Sequence, residues 1–283
     1  MARFDGKVAL ITGGARGQGR SHALAFAAEG ADVAIIDACA DMSTVSYGLA
    51  SPADLEQTRK DVEALDRRCV ALQADVRDGQ AIRDAVAHVT GELGSVDIAV
   101  ANAGVASYHP VHEMSDEDWR TLIDINLTGV FHAVSATLPV MLQRGWGRII
   151  ATSSTMGRMG ARNGAHYAAS KWGIIGFIKS VALEVASSGV TANAVATTAV
   201  NTPLIQNEEV YRLFCPELEN PTWEDAAPRF AALNPVGVPH IECSDVSRAV
   251  LFLASDAASY VSGQHIAVDG GVVHSVLQQL PRD

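Results

Sequence analysis

The chain has 283 residues, of which 48% are hydrophobic and 24 are glycine, with 32 acidic and 21 basic side chains and a formal net charge of −11 at pH 7. That length and composition predict a single globular α/β domain spanning residues 1–283, long enough to bury a large core. The acidic balance argues against nucleic acid or an anionic membrane as a partner. With no apolar run of membrane-spanning length, no signal peptide and no paired cysteines, the protein is expected to be cytoplasmic.

The first 37 residues have the order of a dinucleotide-binding unit. Residues 7–12 form an apolar run typical of a buried parallel strand, and a glycine-rich turn at residues 13–19 follows directly. A segment with helical periodicity comes next, and a second predicted strand at residues 31–36 ends at Asp37. Strand, glycine turn, helix, strand and acid in this order predict a bound dinucleotide cofactor.

Three glycines of the turn have distinct expected roles. Gly13 permits a tight turn, while Gly17 and Gly19 let a pyrophosphate and the strand come close to the start of the helix. The free amides and the dipole at that end of a helix favour an anion. The turn is therefore predicted to hold the cofactor's phosphates.

Asp37 predicts which dinucleotide binds. A carboxylate at the end of the second strand accepts hydrogen bonds from the hydroxyls of the adenine ribose and repels a 2′-phosphate. Arg16, inside the glycine turn, argues the other way, because a basic side chain there can meet that phosphate. Residues 38–40 carry no basic side chain, so the sequence favours NAD over NADP.

The rest of the chain alternates between strand and helix patterns, which predicts a doubly wound, mostly parallel Rossmann-type α/β sheet with helices on both faces. In such sheets ligands bind at the carboxyl ends of the strands, where Asp37, Asn102 and Ser154 are all expected. The remaining predicted strands are residues 69–73, 98–101, 148–152, 191–195 and 265–268. The main predicted helices are residues 117–143, capped by Ser115 or Asp116, residues 166–186 and residues 246–254.

Tyr167 and Lys171 lie four residues apart on a predicted helix, and Ser154 lies thirteen residues before Tyr167. Positions i and i+4 share a helix face, so the ammonium of Lys171 can lie below the phenol. A nearby cation stabilises phenolate and lowers the pKa of a tyrosine from its ordinary value of about 10. Tyr167 can then exchange a proton with a substrate oxygen that Ser154 holds, which is the chemistry of alcohol and carbonyl interconversion.

Two segments are longer than such a fold requires. Residues 38–53 separate the second strand from its helix and are expected beside the cofactor's adenosine. Residues 204–234 follow the sixth strand and are rich in aromatic side chains, which suggests an apolar substrate. This second segment fits either a substrate lid or a pair of helices docked on the surface.

Five motifs resemble those of the classical short-chain dehydrogenases/reductases over essentially the whole chain: Thr12-Gly13-x-x-x-Gly17-x-Gly19, Asn102-Ala103-Gly104, Asn126, Ser154 and Tyr167-x-x-x-Lys171. The resemblance implies a catalytic tetrad of Asn126, Ser154, Tyr167 and Lys171. In it Tyr167 is the acid and base, Lys171 lowers its pKa and holds the nicotinamide ribose, and Ser154 orients the substrate oxygen. Asn126 is implied to anchor a water that relays protons from Lys171. The predicted cofactor contacts are Gly13, Arg16, Gly17, Gln18, Gly19, Asp37, Asp75, Val76, Asn102, Ala103, Gly104, Tyr167, Lys171 and Thr202.

A narrower resemblance links the chain to the mycofactocin-associated, carveol-dehydrogenase-like branch of that family. It rests on Gly17-Gln18-Gly19-Arg20-Ser21-His22, on the insertion after Asp37 with Tyr47 and Pro52, and on Asn201-Thr202-Pro203-Leu204-Ile205. This branch implies NAD that is held too tightly to exchange and a separate redox partner that accepts the electrons. A flap over the adenosine gives a physical reason for slow release. The family also implies a homotetramer built through the two long helices.

One position departs from the family's usual pattern. After Asn193-Ala194-Val195-Ala196 the family usually has Pro-Gly, and this chain has Thr197-Thr198. The backbone here is implied to contact the nicotinamide carboxamide, so the rigidity of the loop is in question. Thr202 stays available to hydrogen-bond that amide.

The sequence therefore predicts an NAD-dependent oxidoreductase that moves hydride between nicotinamide and a secondary alcohol, cyclic, apolar and terpenoid-like. A hydroxysteroid dehydrogenase and a 3-oxoacyl reductase acting on an acyl carrier are the alternatives among enzymes, although the latter normally uses NADP and a basic docking patch. A non-catalytic dinucleotide sensor or scaffold is expected to lack part of the tetrad, and this chain has all of it. The histidines lack ligand spacing, so no metal is predicted. The predicted substrate contacts are Ser154, Met156, Ala161, Val200 and Leu204.

Overall fold

Strands and helices alternate through residues 2–274, the part of the chain that the computed structural model describes. Met1 and residues 275–283, which complete the predicted domain, lie outside the described residues. The strands are β1 (Val8–Thr12), β2 (Asp32–Asp37), β3 (Cys69–Gln73), β4 (Ile98–Ala101), β5 (Gly147–Ser154), β6 (Val190–Thr197) and β7 (His265–Val268). The helices are α1 (Gly17–Ala28), α2 (Pro52–Glu63), α3 (Gly79–Leu93), α4 (Asp116–Ile123), α5 (Gly129–Arg144), α6 (Ala165–Glu184), α7 (Glu208–Phe214), α8 (Trp223–Leu233) and α9 (Cys243–Ala254).

The seven strands form one parallel sheet in the order β3-β2-β1-β4-β5-β6-β7. The direction in which the chain adds strands reverses between β1 and β4, so a crevice opens there outside the carboxyl ends of the strands. Strand β1 is central, since Ala9 pairs with Val33 of β2 on one side and with Ile98 of β4 on the other. The predicted doubly wound Rossmann-type fold is confirmed.

Helices cover both faces of this sheet and explain why its central strands are apolar throughout. Leu10 belongs to the cluster under α3, α5 and α6, whereas its neighbour Ile11 belongs to the cluster under α1, α2 and α9. Both side chains are completely buried. Because successive strand residues point to opposite faces, a strand covered on both faces has no solvent side and carries no polar alternation.

The predicted helix at residues 117–143 is a run from Asp116 to Arg144 in which a π-helical turn, Asp124–Thr128, joins α4 to α5. Of the two predicted cap residues, Ser115 is the cap. Its hydroxyl accepts a hydrogen bond from the Asp118 amide at 3.0 Å, and the Asp118 carboxylate accepts one from the Ser115 amide at 3.0 Å. This reciprocal pair is a capping box and fixes where the helix begins.

The same helical run is long and apolar enough to cross a membrane by length and composition, contrary to the expectation from the sequence. It is 29 residues long, and its most apolar window is 44% buried inside the protein. Val130, Ala133 and Val134 pack into the cluster between this helix and the sheet. A core helix meets the same length and composition test, so the observation is only weak evidence for a membrane span.

Several elements begin or end at residues other than those predicted. Strand β5 continues two residues past the predicted end and pairs with β6 as far as Ser154 and Thr197. These last residues are polar, so apolar patterning did not include them. Helix α9 begins at Cys243, three residues before the predicted start, because Glu242 and Asp245 form a capping box there.

The insertion after β2 consists of residues 38–51, because α2 begins at Pro52 with Ser51 as its cap. It has no helix or strand of its own, yet it is not detached from the protein. Met42, Val45 and Leu49 pack against the core cluster of the sheet. The insertion is therefore laid along the carboxyl edge of the sheet rather than extended into solvent.

Residues 204–234 contain α7 and α8, which we call the substrate helices. The rings of Phe214 and Phe230 stack between them with centroids 3.8 Å apart. Tyr108, from the loop after β4, packs against this small cluster, as does Leu204. The segment is a pair of helices packed around its own apolar cluster, and it borders the crevice through Leu204 and Ile205.

Candidate active site

A cavity lies at the crevice outside the carboxyl ends of the central strands. It collects almost all of the predicted cofactor residues, although these come from segments far apart in the sequence. Gly19 is the exception, because it is buried behind the turn. The predicted residues that line the cavity are Gly13, Arg16, Gly17, Gln18, Asp37, Asp75, Val76, Asn102, Ala103, Gly104, Ser154, Tyr167, Lys171, Val200, Thr202 and Leu204.

The glycine turn is shaped by close backbone contacts. Gly13 has a φ of +66°, a backbone conformation that favours glycine. A Cβ atom added to Gly13 would lie only 2.8 Å from the Ala103 Cα. A Cβ atom on Gly19 would lie 1.9 Å from the Gly13 carbonyl oxygen. Gly19 therefore serves the packing of α1 against the turn rather than direct contact with a ligand. Helix α1 begins at Gly17 with no side-chain cap on its first amides, which leaves them available to an anion.

Asp37 is the last residue of β2, and its carboxylate lies beside the start of the glycine turn. Its two oxygens accept hydrogen bonds from the amides of Ala15, at 3.2 Å, and Cys39, at 3.1 Å. Arg16 does not lie free for a phosphate, since its guanidinium donates to the Gly48 carbonyl of the insertion at 2.6 Å. The one basic group that argued for NADP therefore already has a hydrogen-bond partner within the protein.

Ser154, Tyr167 and Lys171 meet at the end of β5. Lys171 is buried, and its Nζ donates a hydrogen bond to the Thr152 carbonyl at 2.9 Å. The same Nζ lies 5.5 Å from the centroid of the Tyr167 ring, on the helix face that the spacing predicted. The Ser154 hydroxyl accepts from the Met156 amide at 3.2 Å. The arrangement places a hydroxyl, a phenol and an ammonium on one wall of the cavity.

The pKa of Tyr167 differs from the expectation. Burial raises the pKa of Tyr167 to about 12, and hydrogen bonding with the Ser154 hydroxyl opposes that rise. Burial also lowers the pKa of Lys171 to about 8. The predicted lowering of the phenol pKa by Lys171 does not appear, because the ammonium is directed at a carbonyl and removal from water dominates both groups.

Asn126 lies in the π-helical turn, a feature often found at functional sites. Its side chain makes a matched pair of hydrogen bonds with the backbone of Val105: the amide nitrogen donates to the carbonyl at 2.9 Å, and the oxygen accepts from the N–H at 2.9 Å. A Cβ atom on Gly104 would lie 3.4 Å from the Asn126 oxygen and 3.6 Å from the Lys171 Nζ. Asn126 therefore holds the strand-end loop directly beside Lys171.

Asn102 joins three strands at the floor of the cavity. Its side-chain nitrogen donates to the Thr12 carbonyl of β1 at 3.1 Å, and its oxygen accepts from the Thr152 hydroxyl of β5 at 3.2 Å. The Thr12 hydroxyl accepts from the amides of Asn102 and Ala103, each at 3.1 Å. These contacts make residues 102–104 a rigid wall rather than a mobile loop.

Asp75 and Val76 line the same cavity and follow β3, which pairs with β2. Asp75 is paired with Arg77 at 2.6 Å, which holds the pKa of the carboxyl below its ordinary value against the opposing effect of burial. Val76 packs against Gly129, where an added Cβ would lie 2.6 Å from the valine side chain. Both side chains are thus fixed by neighbours of their own.

Only part of the predicted substrate set reaches the cavity. Ser154, Val200 and Leu204 line it, whereas Met156 and Ala161 lie outside the lining residues. The Cβ position of Gly164 is 3.3 Å from the Ala161 Cβ and 3.9 Å from the Met156 sulfur, so both predicted contacts lie near the start of α6.

The loop that carries Thr197-Thr198 in place of Pro-Gly is held by its neighbours. The Thr198 amide donates to the Val268 carbonyl of β7 at 3.3 Å, and the Thr197 carbonyl accepts from the Ser154 hydroxyl at 3.4 Å. The Thr202 hydroxyl donates to the Val200 carbonyl at 3.2 Å. Backbone hydrogen bonds therefore order this loop without the proline ring.

Tyr47 of the insertion lines the cavity and was not among the predicted site residues. Its hydroxyl accepts a hydrogen bond from the Ala106 amide at 3.2 Å, two residues beyond Gly104. The insertion was expected beside the adenosine. Through Tyr47 it also contacts the loop after β4, which lies next to Lys171. The available signal was that Tyr47 is the single aromatic residue of the insertion.

A crevice at the switch point of a doubly wound sheet, lined by a glycine turn, Asp37 and a proton-transfer group, is characteristic of a nicotinamide-dependent oxidoreductase. The profile described as short chain dehydrogenase matches residues 7–211, and the chain belongs to that family.

Three similar proteins extend over nearly the whole chain. A (-)-trans-carveol dehydrogenase of Rhodococcus erythropolis is 47% identical over 274 residues, which cover 96% of this chain and 99% of the relative. The crystal structure of a carveol dehydrogenase from Mycobacterium avium in complex with NAD has a TM-score of 0.95 and 45% identity, covering 97% of this chain and 100% of that one. A short chain dehydrogenase from Mycobacterium paratuberculosis bound to NAD has a TM-score of 0.88 and 36% identity, covering 96% and 99%. Both structures hold the cofactor that Asp37 predicted.

Proposed function

We propose that the chain is an NAD-dependent alcohol dehydrogenase that interconverts a secondary alcohol and its ketone. The observation that carries the proposal is that Ser154, Tyr167 and Lys171 line the same cavity as the glycine turn and Asp37. A proton-transfer group and a dinucleotide site in one cavity are what hydride transfer requires. A dinucleotide sensor would need only the second.

The residues of the cavity fit NAD. The uncapped start of α1 and the turn around Gly13, where a side chain would collide, suit the pyrophosphate. Asp37 would hold the adenine ribose, Asp75 and Val76 the adenine, and Thr202 the carboxamide. Bound NAD supplies a ring carbon that takes or gives a hydride.

The proton is handled by this chain's own side chains. In alcohol oxidation the substrate hydroxyl gives its proton to the Tyr167 phenolate as the carbon gives up its hydride, while Ser154 holds the oxygen. Because burial raises the pKa of the phenol, the phenolate depends on a positive charge nearby, and Lys171 carries one below a pH of about 8. Asn126 holds the loop beside Lys171, where we propose that a water relays the proton to solvent.

The substrate class follows from the apolar end of the cavity. Val200 and Leu204 line it, and the aromatic cluster of the substrate helices lies behind Leu204. A cyclic, terpenoid-like secondary alcohol suits such a wall. The carveol dehydrogenases among the relatives support the same class, and (-)-trans-carveol is the first substrate to test.

We further propose that NAD is held tightly and that a separate redox partner reoxidises it, as in the mycofactocin-associated branch. The support is the insertion, which is tied to the glycine turn through Arg16 and Gly48 and to the catalytic end through Tyr47 and Ala106. A cover fixed at both ends slows release of what lies beneath it. Rapid exchange of bound NAD against excess labelled NAD would rule this part out.

A cytoplasmic homotetramer is the proposed assembly. Phe131 on α5 and Trp172 on α6 are 49% and 53% exposed, and the ring of Phe131 lies 6.3 Å from that of Phe177. Such apolar side chains on the two long helices suit contact with a second copy. Sedimentation of the purified protein tests this assembly.

The proposed activity is tested by offering cyclic secondary alcohols with added NAD, with added NADP and with an artificial dye acceptor alone. Turnover with the dye but not with added NAD supports a held cofactor. Turnover with added NAD supports the dehydrogenase with ordinary exchange. A preference for NADP contradicts the assignment of Asp37, and no turnover under any condition contradicts the proposed activity.

A further inference from the structure

The insertion and the substrate helices meet at the carboxylate of Glu209, in the first turn of α7. One of its oxygens accepts a hydrogen bond from the Tyr108 amide at 3.1 Å. The other accepts from the hydroxyl of Ser46 in the insertion. Glu209 thus links three segments through one carboxylate: the insertion, the loop after β4 and the substrate helices.

Consecutive residues of the insertion bind that same loop. Ser46 reaches it through Glu209, and Tyr47 reaches it directly, since the Tyr47 hydroxyl accepts from the Ala106 amide at 3.2 Å. At its far side the insertion is held by Arg16, which donates to the Gly48 carbonyl at 2.6 Å. The insertion therefore spans the cavity from the glycine turn to the catalytic end, and Glu209 closes the last gap to α7.

The neighbouring acid shows that helix formation alone does not explain this geometry. Glu208 also lies in the first turn of α7, where a negative charge stabilises the helix dipole. It is exposed and pairs within its own helix with Arg212 at 3.2 Å. Glu209 is partly buried and directs both oxygens away from its helix.

We propose that Glu209 is a positioning residue that joins the substrate helices to the insertion, so that the two sides of the cavity open as one unit. The proposal rests on the proposed function, in which NAD lies beneath the insertion and the alcohol beside the substrate helices. A ligand that holds the substrate helices closed then also slows NAD release. By linkage, any increase that the ligand causes in the equilibrium affinity for NAD is matched by an equal increase that bound NAD causes in the affinity for the ligand.

The test measures release of bound NAD from the holoprotein into excess labelled NAD, without turnover. Carvone, the ketone of carveol, serves as the substrate-side probe because a ketone does not react with oxidised NAD. In the unchanged protein carvone slows release. In Glu209→Ala release is about tenfold faster, the effect expected for a lost hydrogen bond to a charged group, and carvone no longer changes it.

Three further variants separate positioning from general loosening. Ser46→Ala removes only the insertion's half of the link and speeds release as well. Glu209→Gln stays close to the unchanged protein, because its amide oxygen accepts from Tyr108 and its amide nitrogen donates to the Ser46 hydroxyl. Glu208→Ala, which removes the same charge from the same helical turn, leaves release unchanged.

Unchanged release in both Glu209→Ala and Ser46→Ala would overturn the proposal, as would equal effects of Glu208→Ala and Glu209→Ala. Persistent slowing by carvone in Glu209→Ala also contradicts it. Because release is measured without catalysis, a protein that oxidises no alcohol but shows this pattern would refute the proposed activity and leave the role of Glu209 intact.

Discussion

The Nζ of Lys171 and the carbonyl of Thr152 are 2.9 Å apart, so the strand that carries Ser154 also fixes the ammonium of the site. A second contact strengthens this relationship, since the Ser153 hydroxyl donates to the Lys171 carbonyl at 3.0 Å. Strand β5 therefore bonds both the side chain and the backbone of Lys171 in α6. The relative positions of Ser154, Tyr167 and Lys171 are set by one strand–helix contact rather than by flexible loops.

Replacing Tyr167 with Phe removes the proposed acid and base and keeps the ring. We expect kcat/KM for (-)-trans-carveol to fall about a hundredfold or more, with NAD binding retained, because proton transfer by a positioned group contributes that much. Steady-state kinetics and NAD binding are measured together. Tyr260→Phe is the control, since that side chain is fully exposed at the surface. Full activity in Tyr167→Phe would remove Tyr167 from the mechanism.

Replacing Asp37 with Asn tests the choice of cofactor. Loss of the carboxylate's charge removes its repulsion of a 2′-phosphate, so the ratio of kcat/KM for NADP to that for NAD is expected to rise about tenfold or more. Asp41→Asn serves as the control, because Asp41 also supports the insertion, through the Leu49 amide at 2.7 Å. An equal shift in both variants would assign the effect to the insertion instead of the ribose site.

Two glycines provide a matched test of the turn. In Gly19→Ala the added Cβ would lie 1.9 Å from a backbone oxygen, and we expect a loss of about 2 kcal/mol of unfolding free energy together with weaker NAD binding. Gly91 lies in α3 with nothing within 4 Å of its Cβ position, so Gly91→Ala is expected to stabilise by about 0.5–1 kcal/mol. Urea unfolding of both variants measures the difference, and equal behaviour would contradict the close contact at Gly19.

His22 is expected to make the fold sensitive to acid. It is completely buried, its Nδ1 lies 2.8 Å from the Ser247 hydroxyl, and burial lowers its pKa from 6.5 to about 3. The folded state therefore binds no proton there between these values, whereas the unfolded chain does. The stability is fully present above pH 6.5 and is lost progressively as the pH falls toward 3.

When the pH is lowered from 7 to 5, the free energy of unfolding should fall in the unchanged protein by about 2 kcal/mol more than in His22→Gln. The glutamine can keep the hydrogen bond to Ser247 and has no proton to gain. His88→Gln, at an exposed position of α3, should respond to pH as the unchanged protein does. Parallel pH curves for all three proteins would exclude His22 as the cause.

Sequence patterns predicted the glycine turn, Asp37 and the pair Tyr167 and Lys171, each from near neighbours in the chain, and these residues line one cavity. Met156 and Ala161 remain predicted substrate contacts, and they lie outside the residues that line this cavity. Sequence reasoning also assigned Lys171 the main effect on the phenol pKa. In the folded protein, burial outweighs that effect, and burial is a property of the packed molecule that spacing alone does not encode.

By itself, the sequence determined the order of strands and helices, the parallel sheet and the side chains available at its carboxyl edge. These follow from apolar periodicity and from motifs within one strand–turn–helix unit. Only the tertiary structure decided that Tyr47 meets Ala106, 59 residues away, and that Glu209 meets Tyr108, 101 residues away. Such contacts arise from the packing of distant segments around one cavity, which no local pattern specifies.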